Sequence, residues 1–444
     1  MSWREELTPL RMQRIGLVSM DERFPDVLRD VARCGLVELD LPYTPGPFGQ
    51  GRDEAELERA VGAAVHSGPL AGLVAWTPAR RLRVLQEAVA VQGAAVVPLP
   101  RPRGKVPPTL LSSRGEASAA RTLVDTYGTV PYEDVDPSRL TAVAYVVMFG
   151  MMFGDVGHGL VLVLAGLVMR SGRIRLFAGV RKMWSFVTGA GAAAMVFGLL
   201  YGEAFGPTGL VPVLWLEPLS SPVPLLLTAI AVGGVLLAGA YAIGTINRVR
   251  EGGWAQALYS RTGLAGSLLF TAIGLLAWGV VAGSAPITTS GAVVAGAALA
   301  LIFTGLFAAA GGGAEGAVEA SIEVVDSVVR LGSNLVSFAR LAAFGLTHAA
   351  LGAVVWDGTV ALWHPDARSA GAVLLFLVGN AVSFALEALV AGVQALRLEY
   401  YELFSRIFQS EGRPFVEWVP LLASPGEDPA VTVDASVPSG RQVG

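Results

Sequence analysis

Seven apolar runs, at about 140–170, 183–201, 223–245, 262–282, 291–311, 327–357 and 369–405, constrain this chain more than any other feature. Each is long enough to cross a hydrocarbon core of about 30 Å as a helix. The chain is 53% hydrophobic and 15% charged, with a mean hydropathy of +0.56, which places it among multi-spanning membrane proteins. More than half of its Lys, Arg, Asp and Glu residues precede Leu140, so the first third reads as a soluble domain.

The first run sets the topology. The loop 170–182 holds Arg170, Arg173, Arg175, Arg181 and Lys182 with no acid, which predicts a cytoplasmic position. The N-terminus has no apolar signal region, so the soluble domain is expected on the same side. The run 140–170 must then cross an even number of times. It reads as a tight hairpin of two short helices broken at 153–159, FGDVGHG, where three glycines permit a turn. Eight crossings follow, with both termini in the cytoplasm. Arg248, Arg250 and Arg261 then fall inside, and Glu203 and Glu217 outside. Residues 312–330, with Glu315, Glu319, Glu323 and Asp326, read as a solvated extension of the seventh helix. The last two spans exceed a bilayer by roughly half and must tilt or project from it.

The predicted fold is therefore membrane all-α, about eight helices with the last two long and tilted, behind a small α/β cytoplasmic domain. The expected boundaries are 1–139 for that domain, 140–408 for the membrane part and 409–444 for a cytoplasmic tail. In the soluble part, strands are predicted at 12–19, 36–41, 70–76 and 94–98. Helices are predicted at 22–34, 54–66, 79–91 and 117–127. Cys34 is the single cysteine, so no internal disulfide or cysteine-based metal cluster is possible. No GxxxxGK[ST] loop and no GxGxxG after a strand is present, so no nucleotide or other cofactor is expected. A net charge of −4 offers no footprint for nucleic acid. A soluble domain of this kind reads as a docking surface.

Two polar faces on apolar helices carry the functional signal. In 331–351, LGSNLVSFARLAAFGLTHAAL, residues Ser333, Ser337, Arg340, Phe344 and His348 fall within about a 100° arc. A charge at the centre of a membrane helix costs about 3 kcal/mol on insertion scales. Snorkelling is the plain explanation, but some ten or more apolar residues follow Arg340, which favours an ion pathway. On the last span Asn380, Ser383, Glu387, Gln394, Arg397 and Tyr401 share a second face. That face reads either as a hydrated pathway or as a structural ion pair between Glu387 and Arg340. Asp155 and His158 in the hairpin turn, and Glu203, are weaker candidates.

Several stretches resemble one family. MFGMMFGDVGHGL (148–160), YGEAFG (201–206), SFARLAAFGLTHAAL (337–351) and the segment 387–418 that opens EALVAGVQALRLEYYELF occur in the order found there. In the soluble part TPARRLRVLQEAV, PPTLL and YGTVPYEDVDPSRL belong to the same likeness, which runs from Ala75 onward. Together they resemble the membrane stator subunit of V-type and A-type rotary ATPases, subunit a or subunit I. The resemblance implies H+ or Na+ translocation coupled to ATP hydrolysis or synthesis. Two tilted helices would face a rotor ring of small hydrophobic subunits, each with a buried carboxylate. Arg340 would take the place of the pore arginine, with Glu387, Arg397, His348, Ser337, Gln394 and Asn380 along two half-channels.

The implied partners are that ring, the peripheral stalk, the central stalk collar and the lipid membrane. Guanidinium stays protonated at any working pH, so it can discharge a ring carboxylate without taking its proton. The chain departs from the family in one respect. Only about 30 residues separate the strands at Leu41 and Leu70, too few for the family's long coiled-coil hairpin. Two other readings are a stand-alone secondary transporter and a structural anchor. No inverted repeat of broken helices favours the transporter.

Overall fold

A computed structural model describes residues 8–41, 53–102, 104–111, 124, 128–173, 179, 181–260, 263–363, 369–408 and 412–418. They form two compact units, a helical one from residues 109–414 and a sheet unit from 11–108 together with 415–418. The predicted helix at 117–127, most of the linker after Leu41 and most of the tail lie outside the described residues.

The sheet unit is built from β1 (Met12–Met20), α1 (Phe24–Cys34), β2 (Glu38–Leu39), α2 (Asp53–Gly62), β3 (Val65–Ser67), β4 (Leu70–Pro78), α3 (Leu82–Ala90) and β5 (Ala95–Pro98). Its strand order is β2-β4-β1-β5, every pairing is antiparallel, and β3 folds back on β4. This is a split β-α-β arrangement. Pro25 opens α1, and Gly35 ends it at φ 57, a left-handed cap that costs glycine little. Phe24, Val27, Leu28 and Val31 form the buried stripe of α1 and pack against Ile15 and Leu17 of β1. Burial of each such side chain is worth about 1.5–3 kcal/mol.

One expectation is corrected in this unit. The helix predicted over 54–66 stops at Gly62, and His66 lies in a strand. Gly68, at φ 60, begins a two-residue loop between Ser67 and Leu70, and that hairpin turn overrides the helical pattern. Residues 415–418, from the segment expected as a tail, belong to the sheet unit. Trp418 is buried in its core and donates from its backbone to Val37 (2.8 Å), and the Val416 N–H donates to the Glu38 carboxylate (3.0 Å).

The helical unit opens with α4 (Ser138–Met152) and α5 (Val156–Ser171), followed by α6 (Trp184–Tyr201), α7 (Pro222–Tyr259), α8 (Leu264–Val281) and α9 (Ala285–Ala309). It continues with α10 (Gly313–Ser337), α11 (Ala339–Leu362) and α12 (Ser369–Leu398), then a π-helical turn at Glu399–Phe404 and a last turn at Ser405–Ile407. Among the described residues six helical stretches are long and apolar enough to cross a membrane, and α4 and α5 are shorter apolar helices. The protein is a multi-pass membrane protein. At 15 and 16 residues, α4 and α5 are each about 23 Å long, shorter than a ~30 Å core.

The hairpin break is narrower than 153–159, covering only Phe153, Gly154 and Asp155. Gly157 and Gly159 belong to the first turn of α5, and neither has positive φ. Gly157 serves close packing instead, because a Cβ there would lie 2.4 Å from the Phe205 ring. The span expected over 327–357 is divided at Phe338, where i to i−3 bonds (Phe338 N to Leu335 O, Leu341 N to Phe338 O) replace the α pattern. Glu315 and Glu319 are exposed on α10, and Asp326 pairs with Arg330 at 2.5 Å.

Candidate functional site

The hairpin turn is organised by one carboxylate. Asp155 is fully buried and caps α5, accepting from the His158 N–H at 2.8 Å. It also accepts from the backbone N–H groups of Phe205 (2.9 Å) and Gly206 (2.8 Å) in the loop after α6. Phe205 has φ 54, a left-handed conformation rare outside glycine, and these bonds hold it there. Non-helical backbone inside an apolar bundle needs such internal partners, since lipid supplies none.

Around that turn a polar cluster forms. His158, on α5, is 3% exposed and sits among the rings of Phe153, Phe205 and Phe384. Its ring lies 5.8 Å from that of His348, on α11. The His348 Nδ1 is hydrogen-bonded to the Glu387 carboxylate of α12, and its Nε2 lies 4.0 Å from the Glu203 carboxylate. Asn380 and Ser383, two turns and one turn before Glu387, are buried on the same side of α12. Three carboxylates and two imidazoles therefore share one interior, and among the described ion pairs no Lys or Arg reaches any of them.

A second cluster lies past Arg340 in the other direction along the helix. Glu402, in the π-helical turn, is within electrostatic reach of Ser337, Arg340 and Arg406. The Asn334 amide, turned to satisfy its neighbours, donates to Glu402 Oε2 (3.0 Å) and to the Arg330 carbonyl (3.0 Å) and accepts from Arg406. Beside it Glu399 is fully buried, and neither carboxyl oxygen has a hydrogen-bond partner. Glu387 and Glu402 are fifteen residues apart, about 22 Å of helix.

Arg340 lies between these clusters, half-buried on α11 two residues past the break. Phe338 fixes that break by filling the space a side chain at Gly233 of α7 would take, 2.1 Å from an ideal Cβ. The structural pairing of Glu387 with Arg340 is not observed, because Glu387 is bonded to His348 instead. The stripe on α12 divides. Asn380, Ser383 and Glu387 face inward, Gln394 is half-buried, and Arg397 and Tyr401 are exposed.

Glu203, Glu399 and Glu402 carry more of the polar interior than the sequence pattern indicated. So does Asp134 at the entry to the helical unit. It is fully buried, and burial beside the Glu251 carboxylate pushes it up to about 8 against a partial pull from Arg248. Nearby, Asn247 accepts from the Val135 N–H (2.9 Å) and donates to the Ile407 carbonyl (3.3 Å), which ties α7 to the end of the last helix.

Comparison with known proteins points one way. The V-type ATPase 116kDa subunit family matches residues 70–208. The A-type ATP synthase subunit I of Pyrococcus horikoshii is 27% identical over 358 residues, 78% of this chain and 53% of that protein. Its counterpart in Thermococcus kodakarensis is 24% identical over 363 residues, covering 77% and 53%. The human V-type proton ATPase 116 kDa subunit a 3 is 32% identical over 155 residues, 32% of this chain and 19% of that one. The chain spans about half the length of these A-type relatives.

Proposed function

Because this chain belongs to the V-type ATPase 116kDa subunit family, we propose that it is the ion-translocating stator subunit of a rotary ATPase. One observation carries the reading. Two separate polar clusters flank Arg340, a half-buried arginine on α11 within a largely apolar bundle. Each cluster serves as one aqueous half-channel. Ions enter a rotor carboxylate from one and leave to the other, and Arg340 between them discharges that carboxylate and blocks a direct leak.

The rotor ring docks against α12. Only 11% of the most apolar window of this last stretch is buried within the chain, and Arg397 is exposed on it. An arginine facing lipid is costly, so a protein surface covers it. The peripheral stalk and the central collar complete the assembly, with the sheet unit as the docking surface.

The test is recovery of the complex from native membranes. Purification of this chain should bring down a ring of small, very hydrophobic subunits and soluble ATPase subunits, and the reconstituted assembly should show ATP-driven ion uptake. A chain that transports alone, without those subunits, would sink the stator role. Uptake compared with and without Na+ identifies the ion.

Both termini are assigned to the cytoplasm on the basic loop 170–182. A single cysteine at Ser171, in a Cys34→Ser background, should resist impermeant reagents added outside intact cells. External labelling there would invert the assignment and reduce the hairpin to one crossing.

A further inference from the structure

We propose that Asp155, His158 and His348 form a binding site for a Zn2+-class metal ion in the bundle interior, with Glu203 as the fourth ligand. One ligand atom from each of the first three lies within 4.8 Å of the others. Zinc bonds of about 2.1 Å in a tetrahedron set ligand atoms about 3.4 Å apart, so the widest pair must close by a little over an ångström. Asp155 and His348 are held by their own hydrogen bonds, so most of that adjustment falls to the His158 ring, whose nitrogens make no hydrogen bond of normal geometry. The fourth position falls to the Glu203 carboxylate, already 4.0 Å from His348 Nε2.

Three further observations favour a dication. His158 is 3% exposed, and neither ring nitrogen makes a hydrogen bond of normal geometry, although the Asn380 amide is close enough to interact. A buried imidazole left in that state lacks a partner that a metal would provide. The remaining nitrogen of His348, Nδ1, is held by Glu387, the carboxylate–histidine arrangement that orients a metal-bound imidazole. The pocket also holds three carboxylates with no Lys or Arg among their described ion pairs, so oxygen ligands are available beside the two imidazoles. Two imidazoles with carboxylates suit zinc and its borderline neighbours rather than Mg2+ or Ca2+, which prefer oxygen alone.

The consequence for transport rests on the ion-pathway reading, because a metal held here would occupy one half-channel and stop uptake. Binding does not rest on it. The experiment uses the purified complex, stripped with a chelator and titrated with Zn2+ alone, then with Co2+ as a spectroscopic substitute. One tight equivalent per copy of this chain is expected, with the ligand-field band of tetrahedral Co2+. His158→Asn should weaken binding by about tenfold or more. Absence of a stoichiometric equivalent in the wild-type complex, or equal binding by the variant, overturns the site. Should the variant fail to assemble, zinc-edge X-ray absorption of the wild-type complex decides, with two imidazoles supporting the site and none refuting it. Normal metal-free uptake with no zinc bound removes only this inference. Bound zinc in a complex that never pumps removes only the pathway.

Discussion

Arg340→Ala should abolish ATP-driven ion uptake while the complex still assembles, and Arg340→Gln should do the same. Arg340 is only half-buried and makes no ion pair within 4 Å among the described salt bridges. Glu402, the buried carboxylate in its reach, keeps Arg406 and the Asn334 amide after Arg340 is removed, so no partner charge is left stranded, the usual source of a severe folding defect. What is lost is a permanent cation between the Glu387–His348 cluster and the Glu402 cluster. Uptake should fall below about a tenth of wild type, a tenfold loss being ~1.4 kcal/mol. Arg340→Lys should fail largely as well, since an ammonium is a compact point charge that can shed its proton in an apolar setting. The measurement is uptake per assembled complex in proteoliposomes. Wild-type pumping by the alanine variant would refute the pathway.

The second large effect is at Glu387. Its carboxylate bonds His348 through Oε2, and Oε1 has no hydrogen-bond partner. Glu387→Gln keeps the size and an acceptor for His348 but removes the group that can ionise. If Glu387 lines a half-channel, uptake per complex should drop by about tenfold or more with normal subunit recovery. Glu387→Asp keeps the carboxylate but withdraws it by one methylene, so it should retain a substantial part of the rate. A purely structural role predicts the reverse ranking. Breaking one side of a buried pair costs about 3–5 kcal/mol, which would appear as poor recovery and a lowered Tm. Full uptake per complex combined with poor recovery would leave Glu387 a structural residue.

Much of this molecule could be read from local pattern. Apolar runs of bilayer length, the hairpin before His158, and α1 with Pro25 at one end and Gly35 at the other all follow from periodicity and from residues that start or stop helices. The polar faces bearing Arg340, His348 and Glu387 were also legible, because a charge in an apolar helix is costly wherever it lands.

Which of those groups meet was decided only by tertiary structure. Helical spacing places Glu387 and Arg340 on faces but cannot say that α12 brings Glu387 to His348, since that depends on how α11 and α12 slide along each other. Glu203 entered the site through a loop that Asp155 folds over the hairpin turn, a set of backbone bonds with no sequence period. The π-helical turn at Glu399–Phe404 follows the point where the expected stripe divides, leaving Tyr401 exposed and Glu399 and Glu402 buried. The break at Phe338 rests on a contact with Gly233, more than a hundred residues away in the chain. Residue chemistry and helical period are local properties and can be read one stretch at a time. Register between helices depends on packing over the whole bundle, and the site exists only at that level.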